Sequence, residues 1–201
     1  MARDPELIAH QEWLGYLQPV GLVVSPPALV DAQAFPSKNI IPEHNRFLEM
    51  VDQITLEREN DPQPSIRDFP RFATQMLGWE PADLVGTAEG GLVPDSLEVT
   101  LTEYNETLRP SYAVPEFDKT PNGDRKWLML IQRVKLGLNL DDTPETDSKD
   151  HRWQASPQAR FERLLRESQV PIGLLSNGTH LRLVYAPRGE TSGNLTFPGR
   201  P

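Results

Sequence analysis

The chain has 201 residues, a net charge of −9 and no cysteine. That length suits one domain, or one domain with a substantial appendage, and is enough to bury a real core. The acidic balance argues against a protein held on nucleic acid by bulk charge, and the lack of cysteine excludes a disulfide framework, a cysteine zinc site and a cysteine nucleophile.

The first residues, MARDPELIAHQEW, carry no basic segment followed by an apolar run, so no signal peptide is expected. The longest apolar stretches are too short and too proline-broken to span a bilayer. A cytoplasmic protein with no membrane partner is the expectation. The 20 prolines, about twice the usual share, punctuate the chain into short elements.

In chain order, residues 6–18 place Leu7, Ile8, Trp13, Leu14 and Leu17 at helical spacing, which predicts a helix ending before Pro19. Val23 and Val24 could begin a strand, and Pro26-Pro27 predicts an extended corner. Residues 42–58 predict a long helix with Phe47, Leu48, Val51, Ile54 and Leu56 on one side. A further helix is expected after Ser65, with Asp68 as part of a capping box and Gly78 as its end. Pro81 to Leu84 suggests one more short turn. The flexible run TAEGGLVPDS then marks the expected boundary between a helical N-terminal subdomain with its Pro-rich arm, 1–90, and a β-rich core, 91–201.

From Leu97 the period changes to two, and LEVTLTEY reads as a strand with Leu97, Val99 and Leu101 inward. LRPSYAV reads as its returning partner, placed at an edge or bulged by Pro110. Asn122-Gly123 signals a turn. The near-continuous run KWLMLIQRV predicts a strand buried on both faces. Residues 137–151 read as a mobile acidic loop.

Ser156 as N-cap and Pro157 at the first helical position predict a helix whose buried side is Phe161, Leu164 and Leu165. Glu162 and Arg166 fall at a favourable i,i+4 spacing on its outer side. Pro171 stops it, IGLLS and HLRLVYA read as strands joined at Asn177-Gly178, and LTF as a last strand. Charge is uneven: residues 151–190 hold six Arg against three Glu, and the remainder is strongly acidic. Among these, Arg160, Arg163, Arg182 and Arg188 make the candidate basic face; an ordinary solvated helix surface accounts for the asymmetry equally well.

His10, His44, His151 and His180 lie in no metal-ligand or catalytic spacing. RGETSG is Gly-rich but matches no phosphate-loop fingerprint; its N–H groups could still hold a phosphate, with a simple hairpin loop as the plainer reading.

PQARFERLLRESQVPIGLLSNGTHLRLVYAPRGETSG resembles the helix–strand–NG–strand segment in the N-terminal region of type IIG-like restriction-modification proteins and related phage-defence DNA methyltransferases. HQEWLGYLQPVGLVVSPPALVDAQA resembles the opening of the same group, and type I restriction subunits are similar more loosely. The resemblance implies a restriction-endonuclease-like α+β fold, a mixed sheet flanked by helices with a helical N-terminal part. In the PD-(D/E)xK pattern that it implies, an Asp on one strand and an Asp or Glu on the next hold Mg²⁺, and a Lys orients the attacking water or offsets phosphate charge.

This chain departs from that pattern. Pro110-Ser111 stands where PD would, and LMLIQRVK offers Gln132 where the acid would be, with Lys135 one place late. Ser and Gln are poor substitutes for metal-binding carboxylates. The expected module is therefore a degenerate one, without a cofactor in this chain. The resemblance implies that it engages DNA, with Arg160, Arg163, Arg182 and Arg188 as the contacts, or assembles with a methyltransferase region or other defence-system subunits. No Gly-rich S-adenosylmethionine loop and no NPPY-like tetrapeptide is present in the sequence. The alternative is an active endonuclease, requiring Mg²⁺, whose acids have moved to positions such as Glu98, Glu103, Glu116 or Asp118, near Lys135 or Lys126. A third reading is a protein-interaction module without DNA contact.

Overall fold

The computed structural model describes residues 5–21, 23–35, 37, 39–56, 61–116, 126–144 and 153–199. Its centre is a mixed six-stranded sheet. The elements run α1 (Pro5–Gly15), β1 (Gln18–Val20), α2 (Pro26–Asp31), α3 (Ile41–Met50), β2 (Asp52–Ile54), β3 (Gln63–Ser65), α4 (Phe69–Met76), β4 (Val99–Leu101), β5 (Glu106–Leu108), β6 (Tyr112–Pro115), β7 (Trp127–Arg133), α5 (Pro157–Ser168), β8 (Ile172–Ser176), β9 (His180–Tyr185) and β10 (Gly193–Pro198). The sheet order is β1-β10-β9-β8-β7-β6. Among the described strands of this sheet, β7 and β8 alone pair in parallel, as expected for strands joined through a crossover helix, here α5. The hairpins β2–β3 and β4–β5 stand as separate two-stranded ribbons.

The sheet is covered on both faces. Leu130 and Ile131 are neighbours on β7, and both are fully buried. Leu130 packs with Phe161, Leu164, Leu165, Leu175 and Val184 on the α5 face. Ile131 packs with Ile66, Phe69, Phe72, Leu84 and Val114 on the α4 face. Successive strand side chains point to opposite faces, so one apolar run serves two cores. Toward its start β7 is more open, with Leu128 40% exposed.

Elements on both sides of residue 90 build this sheet. Residues 18–20 of β1 pair antiparallel with β10. Val85 bridges Ala113 of β6 through both backbone hydrogen bonds, of 2.9 and 3.0 Å. Ile66 donates its amide to the Gly178 carbonyl at 2.8 Å.

α5 forms as its sequence dictates. The Ser156 hydroxyl accepts from the Ala159 amide at 3.2 Å, Pro157 fills the first turn, and Arg166 meets Glu162 at 3.2 Å. The helix ends at Ser168, with Gln169 in the left-handed region, two residues before Pro171. Gly78 likewise follows α4 with φ +69, and the turn at Pro81–Asp83 is a single 3₁₀ turn.

Several expectations change. The helix predicted over 42–58 stops at Met50, and residues 52–54 extend to pair with β3. Pro26-Pro27 opens helix α2 rather than an extended corner, because Ser25 caps it and proline is tolerated in a first turn. The strand in that region is 18–20, not one begun by Val23 and Val24, so Pro19 lies within an edge strand. Asp68 is itself the N-cap of α4, accepting from the Arg71 amide at 3.0 Å, with Pro70 in the first turn. The partner of β4 is Glu106–Leu108, closed by a left-handed Asn105; Pro110 falls between β5 and β6. β6 is an edge strand with an irregularity at Val114/Pro115. Residues 137–141 are pinned rather than loose: Leu140 is buried, and its carbonyl accepts from the Gln158 amide at 2.9 Å. The Asn122-Gly123 turn and His151 lie outside the described residues.

Candidate functional site

β6 and β7 bring Ser111, the residue before β6, beside Gln132 of β7. The Ser111 amide donates to the Ile131 carbonyl at 2.9 Å, and the Arg133 amide donates to the Ser111 hydroxyl at 2.9 Å. Alternation sends Gln132 and Arg133 to opposite faces. Arg133 reaches the Arg67 carbonyl at 2.7 Å on the α4 face. Gln132 faces α5, where it lines a cleft of about 300 Å³ with Leu108, Arg109, Trp153, Arg160, Phe161 and Leu164. Its Nε2 donates to the Arg133 carbonyl at 3.1 Å.

The other expected catalytic positions lie apart from this pair. Lys135 is exposed, in a turn beyond the end of β7. Glu116 is exposed at the far end of β6, its amide bonded to the Lys126 carbonyl at 3.0 Å. Since β6 and β7 are antiparallel, Glu116 and Lys135 occupy opposite ends of the ladder. Five residues of extended chain separate Ser111 from Glu116 by roughly 16 Å. Glu103 sits on the β4–β5 ribbon and pairs with Arg163 of α5 at 2.5 Å. Its carboxyl is held below the usual range, first by a backbone hydrogen bond and then by Arg163. Glu98 pairs with Arg109 at 2.9 Å. Asp118 lies outside the described residues. Among the described residues, no cluster of three or more His, Asp or Glu has a geometry that would hold a metal ion.

Three of the four arginines expected to meet DNA already hold carboxylates. Arg160 clasps Glu106 with both terminal nitrogens and donates to the Trp153 carbonyl at 3.0 Å. Arg163 bridges Glu103 and lies 5.2 Å over the Trp153 ring, which stacks on Tyr104. Arg182 is 7% exposed and donates to both carboxylate oxygens of Asp141, at 2.6 and 2.8 Å, and to the Thr196 hydroxyl at 2.8 Å. That pairing holds the Asp141 carboxyl below its ordinary range. Arg188 is exposed in the loop before β10.

Sequence reasoning missed Glu106, Asp141 and Arg109. The signal for Glu106 was its place on the returning strand of a hairpin that packs on α5. For Asp141 no sequence signal existed, because it meets Arg182 only through the packing of the 137–141 loop. On the opposite face a second cleft of about 490 Å³ is walled by Phe47, Phe72, Trp79, Met129, Leu181 and Phe197. No helix among the described residues is long and apolar enough to cross a membrane.

The class these observations define is an α+β protein with a mixed six-stranded sheet flanked by helices. No family model matches the sequence, and no curated protein or solved structure gives a significant match.

Proposed function

We propose that the chain is a catalytically degenerate, restriction-endonuclease-like module that engages DNA within a cytoplasmic restriction-modification or phage-defence protein, beside a methyltransferase region or other defence-system subunits. The observation that carries this reading is the juxtaposition of Ser111, at the head of β6, and Gln132 of β7 in a mixed sheet. The resemblance places acids at those two points. Here a hydroxyl that already accepts from Arg133 and a neutral amide stand there instead. Neither supplies the anionic oxygen that Mg²⁺ favours. The competing reading, an active Mg²⁺-dependent endonuclease with moved acids, is disfavoured by the separation of Glu103, Glu116 and Lys135.

The test is fluorescence anisotropy with labelled duplex and single-stranded DNA at low salt. Saturable binding is expected. No binding at micromolar protein overturns the DNA-engaging role. In that case the apolar cleft on the α4 face favours the second reading, an assembly module that docks a protein partner.

A further inference from the structure

We infer that the cleft between β7 and the start of α5 binds a single unstacked, uncharged nucleobase by its edge, with Gln132 as the residue that meets that edge. The inference rests on the DNA-engaging reading and names the part of the nucleic acid that enters the site.

Size comes first. A cleft of about 300 Å³ lies at the small end of ligand sites. It suits one ring system with its sugar rather than a peptide helix. Leu108, Phe161 and Leu164 line it, so they desolvate the faces of a planar ring.

Charge decides between base and phosphate. Two arginines, Arg109 and Arg160, line the cleft, which at first suggests an anion site. Each is already engaged: Arg160 by Glu106 and the Trp153 carbonyl, Arg109 by Glu98 and the Val93 carbonyl. A phosphate there would sit against Glu106 or Glu98 and lose to like-charge repulsion what it gained from the guanidinium. A neutral ligand meets no such penalty.

The polar handle is Gln132. One of its N–H groups donates to the Arg133 carbonyl, leaving Oε1 and a second N–H. An acceptor and a donor side by side match the hydrogen-bonding edge of a base. Trp153, on the cleft wall, is fixed by the Tyr104 stack and by Arg163, so that wall is ordered before a ligand arrives.

The experiment is a nuclear magnetic resonance titration of the full chain, following the Gln132 side-chain amide and the Trp153 indole N–H. The probes are the individual nucleosides, with ribose and inorganic phosphate as base-free controls. At least one nucleoside is expected to shift both signals saturably, and neither control to do so. Gln132→Leu, nearly the same size, should weaken that binding about tenfold or more, as loss of a paired base edge does. Ala155→Phe, which adds a ring to the cleft wall, should abolish it. Circular dichroism confirms that both variants fold. No shift with any nucleoside, equal shifts with ribose or phosphate, or affinity unchanged in Gln132→Leu overturns the inference. If labelled DNA still binds while nucleosides do not, the inference fails and the DNA-engaging reading survives. Loss of both removes both.

Discussion

The backbone amide of Arg133 donates to the hydroxyl of Ser111 across 2.9 Å, tying the head of β6 to the end of β7. A serine at this point therefore has a structural use that an alanine lacks. Ser111→Ala leaves a half-buried amide without its acceptor and should lower stability by about 1 kcal/mol. Urea denaturation measures the change. The same variant should leave DNA affinity intact, since Ser111 does not line the cleft.

The Arg182–Asp141 pair links stability to pH. Arg182 holds the Asp141 carboxyl below its unfolded value, so its contribution is fully present above about pH 4. It is lost as pH falls through the depressed folded value. Asp141→Asn should cost about 1 kcal/mol at neutral pH, a figure discounted for the exposure of the carboxylate. The gap between wild type and variant should narrow as pH drops below about 4. Denaturation midpoints across that range check the sign. Arg182→Ala should cost more than Asp141→Asn, because it also removes buried packing and the bond to Thr196.

α5 lies close on β8 at Gly173. A Cβ built there would meet the Phe161 ring and lie 2.8 Å from Leu165 Cδ2. Gly173→Ala should destabilise the fold by about 1–3 kcal/mol through overpacking, measured by thermal or chemical unfolding. A neutral or stabilising result would mean that the helix sits farther from the sheet.

The carboxylate pairing of Arg160, Arg163 and Arg182 predicts that the proposed DNA binding has a shallow salt dependence. A plot of log affinity against log salt should have a slope magnitude below about 3, reflecting few phosphate contacts. The double substitution Arg160→Ala/Arg163→Ala should leave that slope unchanged to within about one unit, since neither arginine is expected to hold a phosphate. A steep slope that this double variant abolishes would place both arginines on phosphates.

The sequence was most legible where boundaries are set by local chemistry. Ser156, Pro157, the Phe161–Leu165 stripe and Asn177-Gly178 each act within a few residues, and α5, β8 and β9 fall where these signals put them. The mixed α+β character was legible for the same reason. The region from Val20 to Ile54 was not. β1 exists because β10 pairs with it from the other end of the chain, and β2 because β3 does. No local pattern carries that information. The adjacency of Ser111 and Gln132 was implied only by the resemblance, since the strand carrying Ser111 was expected to return on β4 and pairs with β7 instead. The neutralisation of the arginines was not legible either, since Glu103, Glu106 and Asp141 reach them only after the β4–β5 ribbon and the 137–141 loop have packed.

Nicking of supercoiled plasmid tests most directly the proposed inability of the β6–β7 pair to support hydrolysis. Purified protein with Mg²⁺ or Mn²⁺ should leave the plasmid supercoiled at every protein concentration that saturates DNA binding. Metal-dependent nicking that is abolished by Glu103→Ala or Glu116→Ala would contradict it.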